Sequence, residues 1–217
     1  MLGIVTGLKS EAKLVAGLGA AVISGGGQAV VTRDKIASLV AQGVTGLVSF
    51  GIAGGLDPAL PVGALVISDT VFDASGYRYL GDNTWCGRAM SAVPNAVRGP
   101  VYASDQIVES AAFKDQLFRH LKTVAADMES HHVARAAAQH GLPFIVIRAV
   151  SDTAKEALPA AFGEGVDADG NTRVMPIIRA LLTGRLSLPA VLRAGSCASQ
   201  ALRALRQARP ALQQLPA

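Results

Sequence analysis

Aromatic residues make up only 5% of this 217-residue chain, and it has just two cysteines, Cys86 and Cys197. The cysteines lie far apart in no metal-ligand spacing, which argues against a disulfide scaffold or a zinc module. Free thiols in a reducing cytoplasm are the simplest account. Long membrane-type runs are missing too. The longest uncharged stretch, Ile36 to Leu56, is broken by glycines, a glutamine and hydroxyls, whereas a bilayer span is richer in Leu, Ile and Phe. The start, Met1 to Leu8, is apolar without a basic lead-in, and Lys9 and Glu11 interrupt it, so no export signal is read there. The expectation is a soluble, cytoplasmic protein.

Acidic residues stop at Asp169. Beyond it stand seven arginines, Arg173, Arg179, Arg185, Arg193, Arg203, Arg206 and Arg209, while the first 169 residues hold 13 basic against 16 acidic side chains. A basic tail on a near-neutral body can contact an anionic partner or the inner face of a membrane, or it can be a solvated, arginine-decorated helix. The arginines have no interleaved aromatics, so nucleic-acid binding is not expected.

Half of the residues are hydrophobic, with much Ala, Val and Gly, a mix suited to helices packed closely on a buried sheet. The periodicity predicts strands at Gly3–Thr6, Gly46–Phe50, Ala64–Ser68, Pro100–Ala103, Thr123–Ala126 and Leu142–Ile147. It predicts helices at Lys9–Leu18, Arg33–Gln42, after Ser110, and at Met128–His140, Thr172–Leu182 and Pro189–Arg206. Residues 73–99 read as a long loop. Alternating strands and helices, with no repeat or linker, predict one α/β domain over residues 1–217, carrying a basic helical segment at about 185–209.

Three segments offer chemistry. Phe50-Gly-Ile-Ala-Gly-Gly-Leu56 follows a buried strand, where Gly54 and Gly55 would let backbone approach a ligand, or simply turn the chain. It is not the G-x-G-x-x-G dinucleotide fingerprint. Asp127-Met-Glu129 crowds a strand–helix junction. There Glu129 is either a helix cap or a carboxylate able to accept two hydrogen bonds from vicinal hydroxyls. His131 and His132 follow it; adjacent residues on a helix point about 100° apart, which disfavours a shared metal. In Arg148-Ala-Val-Ser-Asp152, Asp152 is either the N-cap of a following helix or a partly buried general acid.

Together and in this order, Gly3-Ile-Val-Thr-Gly-Leu-Lys-Ser-Glu11, the Gly-Ile-Ala-Gly-Gly-Leu segment with Val62-Gly-Ala-Leu-Val-Ile-Ser-Asp69, Asp127-Met-Glu129 and Arg148-Ala-Val-Ser-Asp152 resemble the nucleoside phosphorylase and methylthioadenosine/S-adenosylhomocysteine nucleosidase superfamily. The overall pattern is most similar to its bacterial hopanoid-associated branch. The resemblance implies a three-layer α/β/α phosphorylase-like fold, a mixed central sheet flanked by helices. It also implies cleavage of the bond between a purine and ribose, without metal or organic cofactor.

By this resemblance Glu11 activates water, and Met128 and Glu129 hold the ribose. Ser151 and Asp152 orient the purine and protonate it at N7, Ile107 and Val108 contact the base, and Leu8 lies toward the 5′ side. The family's phosphorylases hold phosphate at positions here occupied by Ser49 and Ile52, so hydrolysis is favoured over phosphorolysis. Ile52 also replaces a residue that helps to place the water, and Lys9, Arg33 or Arg148 remain candidate phosphate contacts. The branch implies a lipid-tailed adenosine as substrate, with adenine as the leaving base and a homodimer or larger homo-oligomer as the working form. A phosphorolytic enzyme and a non-catalytic nucleoside-binding module are the alternatives.

Overall fold

The computed structural model describes residues 1–216, except for the side chains of residues 160, 163 and 164. The chain runs β1 (Leu2–Thr6), α1 (Lys9–Leu14), β2 (Ala21–Ser24), α2 (Ala29–Ala41), β3 (Gly46–Gly55), β4 (Leu65–Ser68), β5 (Thr70–Asp73), β6 (Arg78–Leu80), α3 (Asn83–Ala92), β7 (Val97–Arg98) and β8 (Val101–Ala103). It continues with α4 (Ala111–Leu121), β9 (Ala125–Asp127), α5 (Ser130–His140), β10 (Phe144–Asp152), a 3-10 helix (Ala160–Gly165), α6 (Val174–Leu182), α7 (Leu188–Gln207) and α8 (Arg209–Gln213).

These strands form one mixed sheet in the order β6-β5-β8-β9-β3-β10-β4-β7, with β1 pairing β3 and β2 pairing β1. The long strands β3 and β10 are parallel neighbours from Leu47/Phe144 to Gly54/Asp152. The first half of β3 also pairs with β1, whereas its last two glycines pair with β9. Because one strand changes its second partner halfway, the sheet curls, and the ends of β1, β3, β9 and β10 converge.

Side chains of β10 alternate between faces, as a period of two requires. Ile145, Ile147 and Ala149 join a core with Trp85 and Ala89 of α3, Leu205 of α7 and Leu212 of α8. Phe144, Val146 and Val150 join the opposite core with Ile36 and Leu39 of α2 and Val133 and Ala137 of α5. Burial on both faces explains the near-continuous apolar run of this strand. Each fully buried Ile or Leu contributes roughly 1.5–3 kcal/mol.

Several expectations are corrected. Residues 73–99 are not a long loop: they hold β6, α3 and β7, with Asp82 capping α3 by accepting from Trp85 N at 2.8 Å. The buried positions of α3 are only Trp85, Cys86 and Ala89, too few to stand out beside its Gly and Arg residues. The Gly-Ile-Ala-Gly-Gly segment is not a turn after the strand but the second half of β3 itself. Strands β2 and β5 and the helix α8 were not legible in the pattern. The first helix is shorter than expected, ending at Leu14. Among the described residues no helix is long and apolar enough to cross a membrane.

Candidate active site

A cavity of about 250 Å³ opens where β1, β3, β9 and β10 converge. Leu8, Glu11, Ile52, Gly54, Ile107, Val108, Met128, Glu129, Ser151 and Asp152 all line it. The structure thus gathers every site residue expected from the sequence except Gly55, which lies behind the wall. A Cβ there would stand 3.0 Å from the Asp152 carbonyl oxygen.

Glu11 sits in the first turn of α1, 2% exposed. Its Oε2 accepts the N–H groups of Gly7 and Leu8 at 2.9 and 2.8 Å, as the acid of a capping box does, and its Oε1 accepts the Ile52 N–H at 2.8 Å. Burial raises its pKa; the Arg148 charge and these three backbone donors pull the other way. Position 52 thus acts on Glu11 through its backbone, which any side chain can supply.

Arg148 lies wholly buried beneath the cavity floor. Its Nε donates to Asp127 Oδ2 at 2.8 Å and its Nη2 donates to Ser49 Oγ at 2.6 Å, with Glu129 Oε2 at 3.4 Å. Asp127, not Glu129, caps α5: its Oδ1 accepts from Glu129 N and Ser130 N at 3.0 and 2.8 Å. Glu129 therefore keeps its carboxylate free of capping. Burial first, then the neighbouring Asp127 and Glu11 charges, push its pKa up to about 7 against the opposing pull of Arg148. Gly7 is required here, since a Cβ would meet Glu129 Oε1 at 2.7 Å. Gly51 is likewise closed in: a Cβ there would collide with Arg148 Nη1 and stand 2.8 Å from Glu11 Oε1.

Asp152 ends β10, and no helix starts there, so the N-cap reading fails. Ser151 Oγ is 3.0 Å from Asp152 Oδ1 and 3.1 Å from the Ala53 carbonyl, a placement that orients the carboxylate. Asp152 Oδ2 accepts from Lys114, a side chain 1% exposed whose ammonium also donates to the carbonyls of Thr153 and Glu156 at 3.0 and 2.9 Å. Lys114 lines the cavity and was not foreseen. On α4 it sits inside an ordinary amphipathic pattern, and only its place on the buried face separates it from a surface lysine.

Phosphate has no evident cation here. Among the described lining residues Lys114 is the one cation, and its three donors are already engaged. Arg148, whose Nε and Nη2 donate to Asp127 and Ser49 while its Nη1 has no partner, does not line the cavity, and neither do Lys9 and Arg33. Leu158, Phe162 and Val166 add an apolar wall that the motifs did not reveal.

Comparisons with known proteins agree with this architecture. The chain is 32% identical over 138 residues to a 5′-methylthioadenosine/S-adenosylhomocysteine nucleosidase of Marinomonas sp. (strain MWYL1), a match spanning 52% of this chain and 58% of that relative. In fold it resembles an S-adenosylhomocysteine nucleosidase from Streptococcus pyogenes with 5-methylthiotubericidin (TM-score 0.74, 19% identity, covering 100% of this chain and 97% of that one). It also resembles the futalosine hydrolase of Helicobacter pylori (TM-score 0.72, 17% identity, covering 99% and 97%). The family model of the phosphorylase superfamily matches residues 5–183, and the chain belongs to that superfamily.

Proposed function

We propose that this protein is a purine nucleosidase that hydrolyses the N-glycosidic bond of a 5′-substituted adenosine and releases adenine. The observation that carries the reading is the convergence of three acids, Glu11, Glu129 and Asp152, on one cavity with distinct surroundings. Glu129 accepts the ribose hydroxyls over Met128. Asp152, oriented by Ser151, relays to N7 a proton drawn from the Lys114 ammonium that donates to its Oδ2, because a purine leaves far better as a neutral base than as an anion. Glu11, held by three backbone donors, takes a proton from the water that adds at C1′ as oxocarbenium character develops. This division between acid and base follows glycoside hydrolysis. Hydrolysis is preferred to phosphorolysis because no lining cation among the described residues is left for phosphate.

The 5′ substituent we assign is long and apolar, as in adenosylhopane, which would place the reaction in hopanoid side-chain maturation. The apolar wall of Leu8, Leu158, Phe162 and Val166 supports this. So does the exposed apolar face of α6, where Val174, Met175, Ile178 and Leu182 stand out among arginines. Resting that face on the inner, anionic leaflet would bring the cavity to a lipid-tailed substrate. The arginines of α7 and α8 do not all serve such contact, since Arg193 pairs with Glu156 and Arg209 donates to the Ala16 carbonyl at 3.3 Å. A homo-oligomer belongs to the same proposal and is read by light scattering.

The test is adenine release from adenosines with short and long apolar 5′ groups, with and without phosphate, alongside co-sedimentation with anionic vesicles. Phosphate-independent release that improves with tail length supports the reading. Release only with phosphate makes the enzyme a phosphorylase, and no release from any purine nucleoside leaves a binding module. Absence of vesicle binding removes the membrane contact alone.

A further inference from the structure

Beside the cavity, three side chains meet that the reaction does not use. Asp105 stands in the loop after β8, and His131 and His132 occupy the first turn of α5. Sequence position alone sends adjacent helical side chains in different directions. Here the side chains fold back so that the imidazole centroids are 3.8 Å apart. The Nε2 atoms of both rings lie 2.9 Å from the same Asp105 oxygen.

This arrangement leaves polar atoms unanswered. The two imidazoles are 6% and 1% exposed, and Asp105, at 53%, gives the cluster its opening to solvent. His131 Nε2 hydrogen-bonds Asp105. His132 Nε2 is close to the same oxygen yet misaligned, and neither it nor the two Nδ1 atoms has a hydrogen-bond partner. A buried imidazole nitrogen without a partner is costly and calls for an explanation such as an ion. The ligand atoms of all three residues fall within 4.8 Å of one another.

We propose that Asp105, His131 and His132 form a binding site for a divalent first-row transition ion, with zinc as its representative. Two imidazoles and one carboxylate are the donor set such ions take, the remaining positions being left to water through the open side. Coordination through His131 Nε2 moves that ring's proton to Nδ1, so a neutral ring loses no proton overall. Arg33 also faces His132, and its repulsion toward a dication is opposed by Asp105. The ion would clamp the loop carrying Gln106, Ile107 and Val108, one wall of the cavity, onto the helix that follows Glu129. The site stands independently of the nucleosidase reading.

The experiment is a cobalt(II) titration of the full chain, stripped of metal and free of any histidine tag, followed by visible absorption and by competition with zinc. We expect one saturable site per chain, and zinc should raise the melting temperature. Asp105→Asn alters an exposed side chain, with circular dichroism verifying the fold, and it should weaken binding by about tenfold or more, since even outer-shell changes at metal sites cost that much. Glu109→Gln, a nearby exposed acid, should leave binding unchanged. His132→Gln should abolish it, with circular dichroism verifying the fold. Absence of saturable binding, or equal affinity in Asp105→Asn, overturns the site.

Discussion

Lys114 and Asp152 form an ion pair within the walls of the cavity, the lysine arriving from α4 and the aspartate from the end of β10. Removing one member of a buried pair strands the other, at a cost of about 3–5 kcal/mol. Lys114→Met should therefore lower the urea midpoint sharply, and Lys114→Met with Asp152→Asn should recover most of the loss, because the amide needs no counter-charge. Equal destabilisation by the single and double changes would mean that Lys114 acts through its two carbonyl contacts instead.

The two acids proposed for the chemistry predict different losses from ribose recognition. Glu11→Gln keeps the shape and can still receive some backbone N–H groups but cannot take a proton from water. Asp152→Asn cannot give one to N7. Each should reduce kcat by roughly 10²–10⁴-fold with KM changed little, as positioned acids and bases do. Steady-state adenine release checks this, and a mainly KM effect would assign either residue to binding.

How far the sequence disclosed this site follows from the physics of each residue. Glu11, Met128, Glu129, Ser151 and Asp152 fall at strand or helix ends, so short motifs there mark the cavity before any fold is known. Strand β10 was legible for a similar reason, since burial on both faces makes its apolar run continuous. The role of Lys114 was hidden because its partner is 38 residues away and its helix looks ordinary. The meeting of the two imidazoles was not legible because backbone spacing says nothing of side chains that both turn toward one carboxylate. Helix α3 was lost in a polar, glycine-containing stretch whose few apolar positions pack on α8 and β4.

The raised pKa values of the buried acids predict a pH dependence. Glu129 has its pKa pushed up to about 7, above the ordinary 4.5 of an unfolded chain. Such a group contributes stability that is full below its unfolded pKa and lost as pH rises through its folded one. Unfolding free energy should therefore fall between about 4.5 and about 7. Glu11, raised by burial as well, adds to the same trend. Urea titrations across this range should show that slope, and it should flatten in Glu129→Gln. A slope unchanged by that substitution would place its origin elsewhere.

Substrate affinity should move in the opposite sense, and Gly7 provides the structural control. An ionised Glu129 accepts stronger, charge-assisted hydrogen bonds from both ribose hydroxyls than a protonated one, so KM for a ribonucleoside should fall as pH rises through about 7. Glu129→Gln removes the charge, and Gly7→Ala displaces it, because the new methyl would meet Glu129 Oε1 at 2.7 Å. Hydrogen bonds to a charged group contribute about 1.5–3 kcal/mol, so both variants should raise KM for a ribonucleoside about 10- to 100-fold and remove its pH dependence. A 2′,3′-dideoxynucleoside lacks the hydroxyls, and its KM should be insensitive to either change. If both substrates suffer alike, Glu129 supports the cavity through Arg148 rather than holding ribose.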